Sequence, residues 1–117
     1  MSDIQSFTEI TGDRNPLHYD DAAASRTFGG IIVQGGVTSG LLNALVAEDL
    51  PGPGTVFLEV QWKFVKAVRA GEEIVARARV VTVRKDKPIC TLETSVMNEA
   101  GEVCLNGTAV TYTVPLK

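Results

Sequence analysis

The chain has 117 residues, 44% of them apolar, and its 11 basic and 14 acidic side chains leave a net charge of -3. That length predicts one domain with one core over residues 1–117, and the charge balance gives no electrostatic reason to expect nucleic acid or an anionic membrane as a partner. No apolar run nears the roughly 20 residues of a membrane span, and the opening Met-Ser-Asp-Ile-Gln-Ser-Phe lacks the basic flank of a signal peptide, so a cytoplasmic location is expected.

Ser2 with Gln5 three residues later reads as a capping box, and Ile4, Phe7 and Ile10 recur at helical spacing. A short first helix is expected over about residues 3 to 11, stopped by Gly12. Pro16 keeps Asn15 out of the helical region, which makes Asp13 to His18 an ordered loop. Asp20 can cap a second short helix, Asp21 to Ser25, ahead of the glycine-broken link Phe28-Gly29-Gly30. Next, Val37, Leu41, Leu42, Leu45 and Val46 recur at helical intervals, with small or apolar residues filling most other positions. This predicts a long helix, Gly36 to Asp49, buried nearly all round and ended by Pro51-Gly52-Pro53-Gly54.

From Thr55 the period changes to 2. Val56, Leu58, Val60, Trp62 and Phe64 alternate with Phe57, Glu59, Gln61, Lys63 and Val65, which predicts an apolar face on a core. A second strand, about Glu73 to Arg84, sets Ile74, Ala76, Ala78 and Val80 against Arg77 and Arg79; a third, about Ile89 to Met97, presents Cys90, Leu92 and Val96; a fourth runs from about Glu102 to Val114. Asn98-Glu99-Ala100-Gly101 reads as the hairpin turn between the last two. Helices first and antiparallel strands after make an α+β pattern, a sheet able to wrap one long buried helix.

Pairing Asn98 with Gly101 would set Cys104 opposite Ser95 and Cys90 opposite Ala109. The two cysteines would then be offset by roughly 16 Å at about 3.3 Å per residue, too far for a disulfide. Free thiols in a reducing compartment are expected. Two cysteines and one histidine also fall short of the usual four zinc ligands.

His18 is the only histidine, and it follows Asp13 by five residues across a proline-fixed loop. An imidazole and a carboxylate so placed are a candidate acid–base pair at neutral pH; the plainer reading is a turn-capping acid and a locally satisfied histidine. Asn15 reads as a loop-holding residue, with substrate contact as the alternative. The Gly35-Gly36 pair lacks a following Gly-Lys-Ser/Thr and so is no P-loop; it is either a flexible helix start or a binding backbone. Thr38 and Ser39 read as packing residues, since no second histidine exists to activate a nucleophile. Trp62 and Phe64 read as core.

Three stretches carry a family resemblance: GDRNPLHYDDAAA, the IVQGG segment opening the long helix, and LPGPGTVFLEVQWKFVKAVRAGEEI. Together they resemble the MaoC-like dehydratases, and within these most of all the (R)-specific enoyl-CoA hydratases, over about residues 4 to 114. The resemblance implies a hot-dog fold, a bent antiparallel sheet around the central helix, paired with a second copy as a homodimer. It implies syn addition of water to a trans-2-enoyl-CoA thioester, giving an (R)-3-hydroxyacyl-CoA, with no metal or redox cofactor. Asp13 and His18 stand at that family's catalytic pair, and Gly35 at the glycine whose N–H holds the thioester carbonyl. The residue types suit the reaction, which needs a base for water, an acid for the α-carbon and a donor for the enolate oxygen. How Asp13 and His18 divide the first two roles is open.

There are two departures. Gln34 stands where the family commonly has histidine, and it can hydrogen-bond but not titrate. Relatives usually carry a first strand before the first helix, so a sheet lacking that strand, with an exposed edge, is expected here. The loop cations Arg69, Arg84, Lys85 and Lys87 can meet coenzyme A phosphates or simply solvate turns. A hot-dog thioesterase and a non-catalytic acyl-CoA-binding or scaffold subunit remain as alternatives, and chain length and pathway, polyester precursor supply or fatty-acid oxidation among them, stay open.

Overall fold

The computed structural model describes residues 2–116. In chain order it contains α1 (Ser2–Thr11), a single 3-10 turn (Pro16–His18), α2 (Asp21–Phe28), α3 (Gly35–Glu48), and strands β1 (Thr55–Phe64), β2 (Ile74–Val83), β3 (Ile89–Asn98) and β4 (Val103–Thr113). The strands form one antiparallel sheet in the order β1-β4-β3-β2, with α3 laid against it. This is the α+β hot-dog arrangement expected from the sequence. Among the described residues no strand precedes α1 and no helix is long and apolar enough to cross a membrane.

Local chemistry sets most element ends. Asp20 caps α2 by accepting from the Ala22 and Ala23 N–H groups, and α2 runs past Ser25 to Phe28 because Gly29, at φ 75°, supplies the left-handed stop. Ser2 lies within α1 rather than capping it.

The core is smaller than the sequence suggested. Thr38, Leu42 and Val46, four residues apart, are the buried line of α3, and Leu42 packs with Val96 and Leu105. Gly40, Asn43 and Ala44 are exposed, so the expectation of a helix buried all round is not met. A sheet on one side of a helix covers only one stripe of it.

Opposed residues of an antiparallel pair share a face, so the register assigns each side chain. Ile74, Ala76, Ala78 and Val80 lie on one side, as the pattern of β2 predicted, opposite the buried Asn98, Val96, Thr94 and Leu92, although Val80 itself is exposed. In β1 a bulge at Leu58 breaks the alternation. Phe57, Val60, Trp62 and Phe64 share the face of buried Thr111, Ala109 and Leu105, whereas Val56 turns away with Tyr112. Leu58 and Phe64 remain 55% and 57% exposed, because β1 is an edge strand and α3 leans toward β2 and β3. Gly107 lets β1 come close: a Cβ there would run into the Gln61 carbonyl. The β3–β4 register also differs from expectation. Cys90 faces Thr111 rather than Ala109, because the turn is one position wider and Cys104 is an extra, bulged residue between Val103 and Leu105. Both cysteines are free, as predicted.

Candidate active site

The loop after α1 is wound by its own side chains. Asp13 Oδ1 accepts from the Asn15 N–H at 3.1 Å, and Asn15 Oδ1 accepts from the Leu17 N–H at 3.0 Å, two successive Asx turns that lead into the Pro16–His18 turn. Asn15 thus holds the loop, as expected. The winding drives His18 inward, where it is 7% exposed, with Nδ1 2.8 Å from the Ile32 carbonyl oxygen. A carbonyl only accepts, so Nδ1 carries the hydrogen and Nε2 of the neutral ring presents its lone pair. Nε2 stands 3.7 Å from Asp13 Oδ2. That gap is too long for a direct hydrogen bond and short enough for one oxygen to reach both atoms.

The same segment that receives His18 leads into α3. The Ile32 N–H donates to the Leu17 carbonyl at 3.2 Å and the Val33 N–H to the Val68 carbonyl at 2.8 Å. Gln34, in extended conformation, then caps α3, and its carbonyl accepts from the Val37 and Thr38 N–H groups. The Gly35 and Gly36 N–H groups have no backbone acceptor among the described residues. Free N–H groups at a helix start, together with the helix dipole, favour an oxygen that gains negative charge. Gly35 is three residues beyond Ile32, so its N–H lies within about 10 Å of the carbonyl that holds His18.

Gly35 opens on a cavity of about 380 Å³ that also involves Ile32, Thr38 and Phe64. A second groove, about 460 Å³, runs between Gly36, Ser39 and Asn43 of α3 and Phe57, Val60 and Trp62 of β1. Asp13 and His18 line neither. The structure therefore brings Asp13 and His18 together and puts Gly35 one short segment away. Phe64 corrects an expectation: it is no core residue but an exposed ring, 3.1 Å from where a Cβ on Gly35 would stand. Trp62 is half-buried against the core, and its Nε1–H donates to Thr94 Oγ1 at 2.9 Å.

Gln34 is 1% exposed, and its Nε2 donates to the Ile4 carbonyl at 3.1 Å and to Thr8 Oγ1 at 3.2 Å. Thr8 Oγ1 in turn donates to the Asp13 carbonyl at 2.7 Å and is hydrogen-bonded to the Tyr19 hydroxyl. Neither Thr8 nor Tyr19 was picked out from sequence. The available signal was a hydroxyl one helical turn from Ile4, on the buried stripe of α1. Two loop cations are engaged by their own turns, Arg84 with Asp86 and Arg69 with Glu72. The Arg84 guanidinium holds the Asp86 carboxyl below its ordinary range.

Residues 1–100 match the MaoC like domain family. The chain is 36% identical over 110 residues to the (R)-specific enoyl-CoA hydratase of Aeromonas caviae, covering 93% of this chain and 82% of that protein. It is 37% identical over 114 residues to the 3-hydroxybutyryl-CoA dehydratase of Methylorubrum extorquens, covering 93% of this chain and 69% of that protein. Among solved structures, the (R)-hydratase of A. caviae involved in PHA biosynthesis superposes with a TM-score of 0.91 at 33% identity, covering 97% of this chain and 86% of that one. The unliganded R-hydratase of Pseudomonas aeruginosa gives 0.88 at 32% identity, covering 99% and 79%.

Proposed function

The chain belongs to the MaoC-like family and is a hydratase/dehydratase, a carbon–oxygen lyase, and on that premise we propose that it adds water reversibly to a trans-2-enoyl-CoA to give the (R)-3-hydroxyacyl-CoA. The observation that carries this reading is the 3.7 Å pair of His18 Nε2 and Asp13 Oδ2, with Nδ1 held as a donor by Ile32. Two proton acceptors face the space of one water molecule, so the pair handles that water as one unit. One of the two takes a proton from water as the oxygen bonds to the β-carbon, and so becomes the protonated member. The π electrons move onto the thioester oxygen, and the Gly35 N–H stabilises that enolate. The protonated member then delivers its proton to the α-carbon, which restores the pair. Both groups come from one loop, which favours addition of both atoms on one face.

The enzyme acts as one domain over residues 1–117, in the cytoplasm, and as a homodimer. The dimer reading rests on the edge strand β1, which leaves Val56, Leu58, Val60 and Phe64 exposed. Antiparallel pairing of β1 with its copy about Gln61 would set Glu59 of one protomer opposite Lys63 of the other.

A chain-length series of trans-2-enoyl-CoA substrates, with loss of enoyl absorbance and chiral analysis of the product, tests the function. Racemic or (S) product overturns it. Release of free thiol with the double bond retained would favour thioester hydrolysis, and binding without turnover a non-catalytic subunit.

A further inference from the structure

We infer that Thr8 is a positioning residue for the acid–base pair, an inference that rests on the hydratase reading above and names a side chain outside the reacting groups. Thr8 is 4% exposed, and its hydroxyl uses its full hydrogen-bonding capacity. The single O–H donates to the main-chain carbonyl of Asp13 at 2.7 Å, while the oxygen accepts from Gln34 Nε2 at 3.2 Å and from the Tyr19 hydroxyl.

Those three partners belong to three parts of the site. Asp13 carries the carboxylate, Tyr19 directly follows His18, and Gln34 directly precedes Gly35. One hydroxyl on α1 therefore ties the acid, the residue beside the imidazole and the cap of the helix that offers the carbonyl-binding N–H. Gln34 cannot swing away to find another partner, since its Nε2 is also held by the Ile4 carbonyl at 3.1 Å, on the same helix as Thr8. The Asp13 backbone has one other anchor besides its neighbours in the loop, the bond from its N–H to Thr11 Oγ1 at 3.2 Å, and that bond is exposed. The Thr8 bond is the more buried of the two, so it anchors the main chain from which the Asp13 carboxylate reaches toward Nε2. A displacement of about 1 Å at a reacting group can cost 100-fold in rate.

The test compares Thr8→Val, which keeps the shape and removes the donor, with Thr8→Ser, which keeps the donor, in steady-state hydration of crotonyl-CoA alongside Asp13→Asn. Thr8→Val is expected to lose about 10- to 100-fold in kcat with KM changed by less than about twofold, and Thr8→Ser to recover most of that loss. Should Thr8→Val fail to fold, Thr8→Ala takes its place under the same criterion. Wild-type kcat in the Val or Ala variant, an effect confined to melting temperature and KM, or a serine variant as slow as the valine one overturns the inference. No hydration by the wild-type chain overturns the hydratase reading and this inference with it, full activity in Asp13→Asn overturns the acid–base pair and this inference with it, and an inactive Asp13→Asn beside a fully active Thr8→Val overturns the inference alone.

Discussion

The Nδ1 atom of His18 donates to the carbonyl oxygen of Ile32 at 2.8 Å, and Ile32 lies three residues ahead of Gly35, the first residue of α3. One hydrogen bond thus fixes the tautomer of the only histidine and couples its ring to the start of the helix. An imidazole held at one nitrogen can exchange a proton only at the other, which here faces Asp13. His18→Ala and Asp13→Asn are each expected to lower turnover of crotonyl-CoA about 100-fold or more, as loss of a positioned acid or base does. Far-UV circular dichroism should stay unchanged, and wild-type rates in both variants would refute the pair.

Adjacent glycines at the start of α3 should respond differently to a methyl group. A Cβ on Gly36 would run into the half-buried Phe7 ring of α1, so Gly36→Ala must displace that ring or the helix that carries it. Overpacking of this kind costs about 1–3 kcal/mol, to be read from urea midpoints. On Gly35 the Cβ would meet only the exposed Phe64 ring, at 3.1 Å, and that ring can turn aside. Gly35→Ala should therefore keep its stability while turnover falls by about tenfold or more, since the methyl occupies the approach to the N–H proposed to bind the thioester carbonyl. Loss of stability without loss of rate in Gly35→Ala would contradict the role given to its N–H.

What the sequence made legible follows from which signals are local. Asp20 and Gly29 act within one turn of α2, and the two Asx turns of Asp13 and Asn15 span two residues each, so element types and the loop could be read from the chain. Bulges are set by the partner strand. Nothing around Leu58 or Cys104 marks either as an extra residue, yet the first reassigns Val56 and Phe57 to opposite faces and both change the register. Burial was overestimated for the same reason. The alternation in β1 records an apolar face without saying what covers it, and in a single chain Val60 and Phe64 are left open. Asp13 and His18 are read from one motif, whereas Thr8 and Gln34, 26 residues apart, meet only in the fold.

Glu102 gives the β3–β4 turn a predictable pH response. The Asn98 side chain, donating to Glu102 Oε1 at 3.0 Å, and then the Lys66 ammonium lower its carboxyl pKa below the ordinary value of 4.5. A carboxylate whose folded pKa is depressed binds fewer protons folded than unfolded, so its contribution is complete above the unfolded value and is lost as pH falls through the folded one. Glu102→Gln removes that titration. Between pH 7 and pH 3.5 the advantage of wild type over Glu102→Gln should shrink, and urea midpoints at the two pH values measure it. An advantage that grows on acidification would contradict the assigned direction.

The proposed dimer makes its own demand on β1. Glu59 and Lys63 lie opposite Val110 and Asn106, on the face of β1 turned away from α3, each two residues from Gln61. A two-fold axis through Gln61 therefore forms the Glu59–Lys63 pair twice and sets Leu58 opposite Phe64 of the other protomer, covering side chains that are 55% and 57% exposed in one chain. Lys63→Glu would place like charges opposite each other at both positions. Each cross-strand pair is worth about 0.2–1 kcal/mol, so the dissociation constant should rise about 2- to 30-fold in sedimentation at low salt. The double variant Glu59→Lys with Lys63→Glu restores opposite charges in the same register and should recover the dimer, which a general effect of altered net charge would not do. Equal dissociation constants for the single variant and wild type would place the two-fold axis elsewhere on the chain.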